Sequence, residues 1–553
     1  MPQSSNNKDN GKNDNTDLLT SSAKGAYYLV LLQFASRMLT FGLHQIVLRY
    51  TTAEVLGIAS VKLELLLSTI LFISREGFRC ALLRGEGDNA QSSKQAEQKV
   101  TNLAYIPTVL GLATTLLACG YYLYQIDEAT AIKYPFYRTS VVLFGAAAFA
   151  ELLVEPLFVL AMNRLYFQLR VSVEGVAVIS RTFVTFGLTL WGASTGSNAF
   201  GVLAFAAAQL VFGLTMAAGY LGFFLKKVRR SEMDARELYP RKLRRSDDTS
   251  YWFDSDMLTL ATTLTKQSLL KHILTEGDKM LISALTTDEN QGVYAFVVNY
   301  GSLIVRILFQ PLEETSRTFF SKILADASKK ADTTTAAEVL LMILQFHILL
   351  GLLFVCFATN YTGALIDLLV GKEWSVERNG PAVLAVYCAY VPVMGVNGIT
   401  EAFVQAVASK SDLQTLSYYM VAFSACFMAS GYLFMSVLDL GAIGLVLANI
   451  VNLGIRIAYS WSYITEYFEK STVKRPLAVR NWFPRLPTLL VFVLSWIVTS
   501  YSEQTIGWQT LNHKVLHIGI GVLCFLVTAG VTVWQEKSWI NDMRRMMKSG
   551  KTE

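Results

Sequence analysis

KKVRRSEMDARELYPRKLRRSDDTSYWFDSD, residues 226–256, is the longest hydrophilic stretch inside an otherwise apolar chain. Nine of its first twenty residues are Lys or Arg. Apolar runs of roughly 20 residues lie on both sides, the length a helix needs to cross a bilayer. Short loops facing the cytosol are enriched in Lys and Arg, so this one belongs on the cytosolic side. It divides the first twelve candidate spans into six and six. The chain therefore reads as an all-α polytopic membrane protein built of two halves.

Working outward from this loop gives fourteen candidate spans. Upstream they are 25–49, 57–76, 102–124, 139–162, 170–193 and 199–225. Downstream they are 257–286, 290–316, 335–359, 381–408, 412–437, 441–465, 486–502 and 512–535. The composition agrees: 553 residues, 53% hydrophobic and 16% charged, with a mean hydropathy of +0.39. Soluble domains carry about 25% charged residues, which argues against a soluble enzyme. A disordered or collagen-like chain is excluded too. With the N-terminus in the cytosol, 34 of the 48 Lys and Arg fall on the cytosolic side, 6 on the opposite side and 8 within spans. An odd span count would scramble that asymmetry, so both termini are expected in the cytosol.

The expected organisation is a disordered cytosolic tail (1–23), an N-terminal six-helix bundle (24–225), the cytosolic basic loop (226–256), a second six-helix bundle (257–465), a cytosolic linker (466–485), two additional transmembrane helices (486–535) and a cytosolic tail (536–553). A central cavity between the bundles is expected. The halves show faint repetition. Arg37-Met38-Leu39 matches Lys279-Met280-Leu281, Gly57-Ile58 matches Gly292-Val293, and Glu76-Gly77-Phe78-Arg79 matches Glu314-Thr315-Ser316-Arg317. Both halves begin in the cytosol, so the repeat is parallel.

An ionisable group at the centre of a span costs at least about 2.5–3.5 kcal/mol and persists where it meets a partner or a wet cavity. Such groups are densest in the first two helices of each half: Arg37; Lys62, Glu64, Arg75 and Arg79; Lys271, Glu276, Asp278 and Lys279; Arg306, Glu313, Glu314 and Arg317. Arg306, Gln310, Glu313 and Arg317 share one helical stripe, and Pro311 should kink it. Arginine holds phosphate in a two-pronged fork. Arg37, Arg75, Arg79 and Arg306 are therefore the candidate ligands for an anionic head group. Lys62, Glu276, Asp278, Lys279, Glu313, Glu314 and Arg317 are expected to line the cavity or couple to ions, with Glu314 and Arg317 close enough to pair along the helix. The alternative is an ion-pair network that only packs the helices, with Glu151 and Glu155 pairing to Arg170 and Arg181. Glu401 and Arg456 fit either reading.

Other motifs carry little. Gly192-Ala193-Ser194-Thr195-Gly196 has the spacing of a hydrolase nucleophile elbow, which needs a preceding strand, and here reads as a short luminal turn. His513 and His517 are one turn apart without a third metal ligand, and read as interfacial histidines. The sequon at Asn360 hugs the end of a span and is expected to be unmodified. No GxxxxGK[ST] loop occurs, so no ATP-hydrolysing module is expected, and no metal, cofactor or nucleic-acid partner is called for.

Residues 271–317, KHILTEGDKMLISALTTDENQGVYAFVVNYGSLIVRILFQPLEETSR, resemble the signature region of the Rft family of eukaryotic oligosaccharide-dolichol translocation proteins. FISREGFR (72–79), TNLAYIP (101–107), AELLVEPLF (150–158) and NGITEAFVQA (397–406) resemble the same family. The resemblance implies an endoplasmic reticulum membrane protein serving N-glycosylation. It would move a dolichol diphosphate carrying five mannoses and two N-acetylglucosamines to the luminal leaflet. It also implies the two-bundle fold of the multidrug/oligosaccharidyl-lipid/polysaccharide exporters, alternating access without ATP hydrolysis, and cavity arginines on the lipid diphosphate. Membrane lipids and the glycolipid are the implied partners; the rival is a non-transporting accessory protein.

Overall fold

The structure is a computed structural model in which residues 38–83, 93–195, 200–244, 250–324, 330–470 and 478–549 are described. Arg37, the N-terminal tail and the first part of span one lie outside them. The described residues are predominantly helical, and their strands are one two-residue antiparallel ladder, β1 (Leu243–Arg244) with β2 (Ser250–Tyr251).

After α1 (38–49) come α2 (Ala53–Leu82), α3 (Gln95–Gln125), α4 (Tyr137–Asn163), α5 (Phe167–Ser194) and α6 (Gly201–Arg229). Next is α7 (Ser255–Leu285). Then follow α8 (Asp288–Ile323), α9 (Thr333–Leu369), α10 (Gly380–Val407), α11 (Ser411–Val437), α12 (Gly441–Lys470), α13 (Leu486–Thr505) and α14 (Leu511–Gln535). A last helix, α15, covers Lys537–Ser549. Twelve described helices, α2–α6 and α8–α14, are long and apolar enough to cross a membrane. The chain is an all-α polytopic membrane protein. The helix α7 is 31 residues long, but Lys266, Lys271, Glu276, Asp278 and Lys279 make it too polar to count among the twelve.

Local chemistry sets the boundaries. Thr52 caps α2 through Val55 N, Thr287 caps α8 through Asn290 N, and Ser409 with Asp412 forms a capping box at α11. In each case a side-chain oxygen satisfies an otherwise orphaned N–H of the first turn. Pro156 opens a break inside α4 after Val154. Pro311 follows a π-helical turn, Val305–Phe309, inside α8, so the expected distortion is shared by a widened turn and a proline.

Two compact units result: residues 1–51 with Ile70–Lys266, and Thr52–Thr69 with Gln267–Glu553. The first unit's core includes Phe78, Phe158, Tyr220 and Phe224, joined by Met233 and Leu238 from the basic loop. That loop is thus folded onto the helices. The second unit packs α10 against α8, α9 and α12 around Phe320, Leu344, Phe403 and Phe468. Within it the two glycines matched between the halves face each other's helices. A Cβ on Gly57 would collide with the Asp288 carbonyl, and one on Gly292 with the Ala53 carbonyl.

The added helices α13 and α14 are locked to α9 by polar contacts. Asn360 Nδ2 donates to Trp496 O at 3.2 Å and Thr499 Oγ1 at 2.8 Å, so the sequon amide is buried with both its hydrogens engaged. His517, expected at the interface, is instead fully buried. Its ring stacks on Tyr361 at 4.2 Å between centroids and its nitrogens meet Ser502 Oγ and Asn360 O. Gly192, Ala193 and Ser194 are not a turn but the last residues of α5; Gly196 lies outside the described residues.

Candidate functional site

In the first unit the FISREGFR segment ends α2. Its π-helical turn, Phe72–Glu76, contains Arg75, and Arg79 follows one turn later. The AELLVEPLF segment of α4 offers Glu151 and Glu155 at the same spacing. Arg75 Nη1 meets Glu151 Oε2 at 3.4 Å. Arg79 forks onto Glu155, Nε to Oε1 and Nη2 to Oε2, the latter at 2.7 Å. The Phe158 ring lies under the Arg79 guanidinium, 3.9 Å from Cζ, adding a cation–π contact. The Glu155 side chain is only 1% exposed, and a carboxylate that deep requires a hydrogen-bonded cation.

The expected partners of these glutamates were Arg170 and Arg181, and that pairing is corrected. Arg170 bonds Glu174 one turn along its own helix at 3.0 Å. Arg181 is linked to Glu151 through Gln209, which accepts from Arg181 at 2.9 Å and donates to Glu151 at 3.4 Å. The break at Val154 and Pro156 presents the glutamates toward α2 instead.

Where residues 226–256 fold onto this unit lies a second polar assembly. Arg164 bridges Glu97 at 2.6 and 2.9 Å and Glu237 at 2.7 Å. Hydrogen bonding to Glu97, against some burial, pushes its pKa up. Asn102, fully buried in the TNLAYIP segment, donates to Arg241 O and Trp252 O at 2.6 and 2.7 Å and accepts from Arg241 N at 2.9 Å. Tyr105 donates to Leu238 O. Lys99 pairs with Asp254 at 2.8 Å; burial would raise that carboxyl, but the lysine and the Met257 N–H hold it below its ordinary value.

In the second unit the charged groups are mostly paired. Lys62, in the π-helical turn Ile58–Leu63, meets Asp288 at 2.6 Å. Glu276 and Lys279 pair at 2.9 Å, and Tyr294 donates to Asp278 Oδ2 at 3.2 Å. Arg456 forks onto Glu401 at 2.6 and 2.9 Å. The Glu313 carboxylate lies against Gly398, where a Cβ would sit 3.0 Å from Oε2. Glu314 is exposed. Arg317 does not pair with it; its guanidinium donates to Gln405 at 3.0 Å, because α10 presents that amide on the face Arg317 occupies. Beyond the helix ends, Arg378 meets Glu54, Glu289 and Glu373 at 3.0–3.4 Å. Burial alone would lower its pKa, and these carboxylates raise it.

Arg306 differs. It is exposed and lies in the π-helical turn of α8. Its guanidinium donates only to Asn299 O at 3.1 Å and Ser302 O at 3.4 Å among the described residues. With five N–H donors and no carboxylate, it retains capacity for an anion. Lys62, Arg75 and Arg306 all sit in π-helical turns, a distortion found frequently at functional sites. Asn102, Gln209, Tyr294 and Gln405 are the partners sequence reasoning missed. Asn102, Tyr294 and Gln405 lie inside segments that carried the family resemblance, which was the available signal.

Residues 21–546 match the Rft-1 family, described as Rft protein. Relatives named Man(5)GlcNAc(2)-PP-dolichol translocation protein RFT1 include that of Xenopus tropicalis, 33% identical over 96% of this chain and 98% of its own length. That of Mus musculus is also 33% identical, over 96% and 97%; that of Saccharomyces cerevisiae is 32% identical, over 81% and 83%. Among solved structures, the lipid II flippase MurJ in an inward closed conformation matches with a TM-score of 0.57 at 13% identity, over 92% of this chain and 99% of that one. An inward-facing multidrug resistance MATE family transporter of the MOP superfamily matches with a TM-score of 0.50 at 12% identity, over 78% and 96%. At such identities these two likenesses establish the fold. With the family match running almost from end to end and full-length relatives a third identical, the chain belongs to the Rft protein family.

Proposed function

We propose that this chain moves a dolichol-diphosphate-linked oligosaccharide of five mannoses and two N-acetylglucosamines from the cytosolic to the luminal leaflet of the endoplasmic reticulum membrane, for protein N-glycosylation. The observation that carries this reading is the near-complete match to relatives named for that translocation. The reading includes fourteen spans, with α1 and α7 added to the twelve apolar helices, and both termini in the cytosol.

The physical task is to carry a diphosphate and a polar glycan across hydrocarbon while the polyprenyl tail stays in lipid. Arg306 is the first candidate for the diphosphate, since among the described residues its donors meet only carbonyls of its own helix. Arg37, Arg75 and Arg79 complete the candidate set, with Arg75 and Arg79 held ready by Glu151 and Glu155. Lys62, Glu276, Asp278, Lys279, Glu313, Glu314 and Arg317 line or brace the path, and Glu276 or Asp278 would take a coupling cation or proton. Alternating access without ATP hydrolysis exposes the head group to each side in turn. The outward-facing leucines and valines of α13 and α14 offer the tail an apolar surface.

A second reading has its own support. Arg75 and Arg79 are already engaged by buried glutamates, as in a packing network, which favours a non-transporting accessory protein. Reconstitution separates the two. Pure protein in liposomes with the glycolipid should move the glycan between leaflets over time; a leaflet distribution identical to protein-free liposomes would sink direct translocation.

A further inference from the structure

The end of the chain forms a surface that the transport reading leaves unused. The last apolar helix, α14, stops at Gln535, and Trp534 beside it is 73% exposed. An exposed Trp at a span end marks the headgroup level. The chain does not continue outward there. Glu536, almost fully buried, accepts from Arg485 N at 2.7 Å, Thr488 Oγ1 at 3.2 Å and Gln345 Nε2 at 3.3 Å. Its carboxylate thereby satisfies the positive N-terminal end of α13 and fixes where α15 starts.

From that anchor α15 turns back. Trp539 packs against the Leu349, Cys356 and Phe492 cluster, and Ile540 and Met543 are half-buried on the same side. Lys537, Arg544 and Arg545 are exposed, and the Arg545 side chain is 84% so. Asp542 is the sole acid of this helix. Arg485 reaches the helix at Ser538 Oγ, bringing exposed Arg480 and Arg485 alongside. Between these cations Val479, Phe483 and Leu486 are also exposed. Apolar side chains interleaved with arginines, beside the end of a membrane helix, are the composition of a surface lying among lipid head groups.

We propose that α15 and residues 478–486 form a docking surface for anionic phospholipid head groups of the leaflet they face. The exposed apolar residues enter the acyl boundary, and Arg480, Arg485, Arg544 and Arg545 hold phosphate. The charge is complementary to that of an anionic leaflet, and the fold delivers it at headgroup height.

The test uses the full-length protein in nanodiscs of phosphatidylcholine alone or mixed with phosphatidylserine, with hydrogen–deuterium exchange read on α15. Phosphatidylserine should slow exchange there, and Arg544→Gln with Arg545→Gln should cancel about thirty-fold of that slowing. High salt should weaken it. Arg544→Lys with Arg545→Lys, which keeps the charge, should retain most of the protection and guards against a folding defect. Equal exchange in both lipids, or phosphatidylserine protection undiminished in the glutamine variant, would overturn the proposal. So would protection that appears only when another protein is added.

Discussion

Arg317 stands 3.0 Å from Gln405 in the second unit, in the register that Arg79 and Glu155 hold in the first. In the first unit, arginines four residues apart face glutamates four residues apart. In the second, Glu313 and Arg317 face Glu401 and Gln405, again four apart. The geometry is repeated while the charges are not. Where α4 has Glu155, α10 has a neutral amide; where α2 has Arg75, α8 has Glu313; and Arg456 from α12 neutralises Glu401. The two helix pairs therefore carry a fully paired ladder in one unit and a mixed, partly exposed one in the other.

Arg79→Ala should destabilise by about 3–5 kcal/mol, because it strands the buried Glu155 carboxylate. Adding Glu155→Ala should recover much of that loss. Thermal unfolding in detergent measures both. N-glycan occupancy of the double variant, in cells depleted of the native protein, then reads the arginine's direct role. Full occupancy would assign Arg79 to packing alone.

Glu155→Gln and Gln405→Glu should behave differently although they touch equivalent positions. The first weakens a charge-assisted fork at a buried site and should cost about 1.5–3 kcal/mol. The second faces an exposed arginine, where an ion pair is worth about 0–1 kcal/mol. Equal shifts in unfolding temperature would refute the difference in environment.

Arg306→Ala should leave stability within about 0.5 kcal/mol, as for other exposed positions without a buried partner, yet abolish most N-glycan occupancy. Arg306→Lys should retain part of it, since the charge survives while the fork is lost. Normal occupancy with Ala, at matched protein abundance, removes Arg306 from the diphosphate site.

Asn102→Asp should loosen residues 226–256 without touching the membrane charges. The substitution replaces two N–H donors with a carboxylate facing the Arg241 and Trp252 carbonyls. Faster proteolytic nicking of the loop, at about 1–3 kcal/mol of lost local stability, is the expected readout; unchanged nicking contradicts it.

The Lys99–Asp254 pair sets a pH limit for the same loop. The folded-state pKa of Asp254 lies below the ordinary carboxylate value. Its contribution is thus present above about pH 4 and fades as pH falls through the depressed value. Loop hydrogen exchange should be flat from neutral pH down to that point once corrected for intrinsic rates, and Asp254→Asn should remove any acid step attributable to this pair.

The all-α polytopic membrane fold and the family were legible in the sequence because each rests on one-dimensional quantities: runs of apolar residues and contiguous motifs. Gly57 and Gly292 could be matched by eye, but that they let α2 and α8 approach backbone to backbone follows only from packing. Ion-pair partners were not legible. Arg170 and Arg181 were near Glu151 and Glu155 in sequence, whereas Arg75 and Arg79, some 76 residues away, are the ones that meet them. Which face of a helix turns toward which neighbour depends on π-helical turns, on the break at Pro156 and on side-chain volumes across the interface. None of these is a property of a single segment. That these helices carry charge follows from their composition; that most of it is neutralised and that Arg306 keeps donors to spare follows from distances of a few ångströms that only the packed helices define.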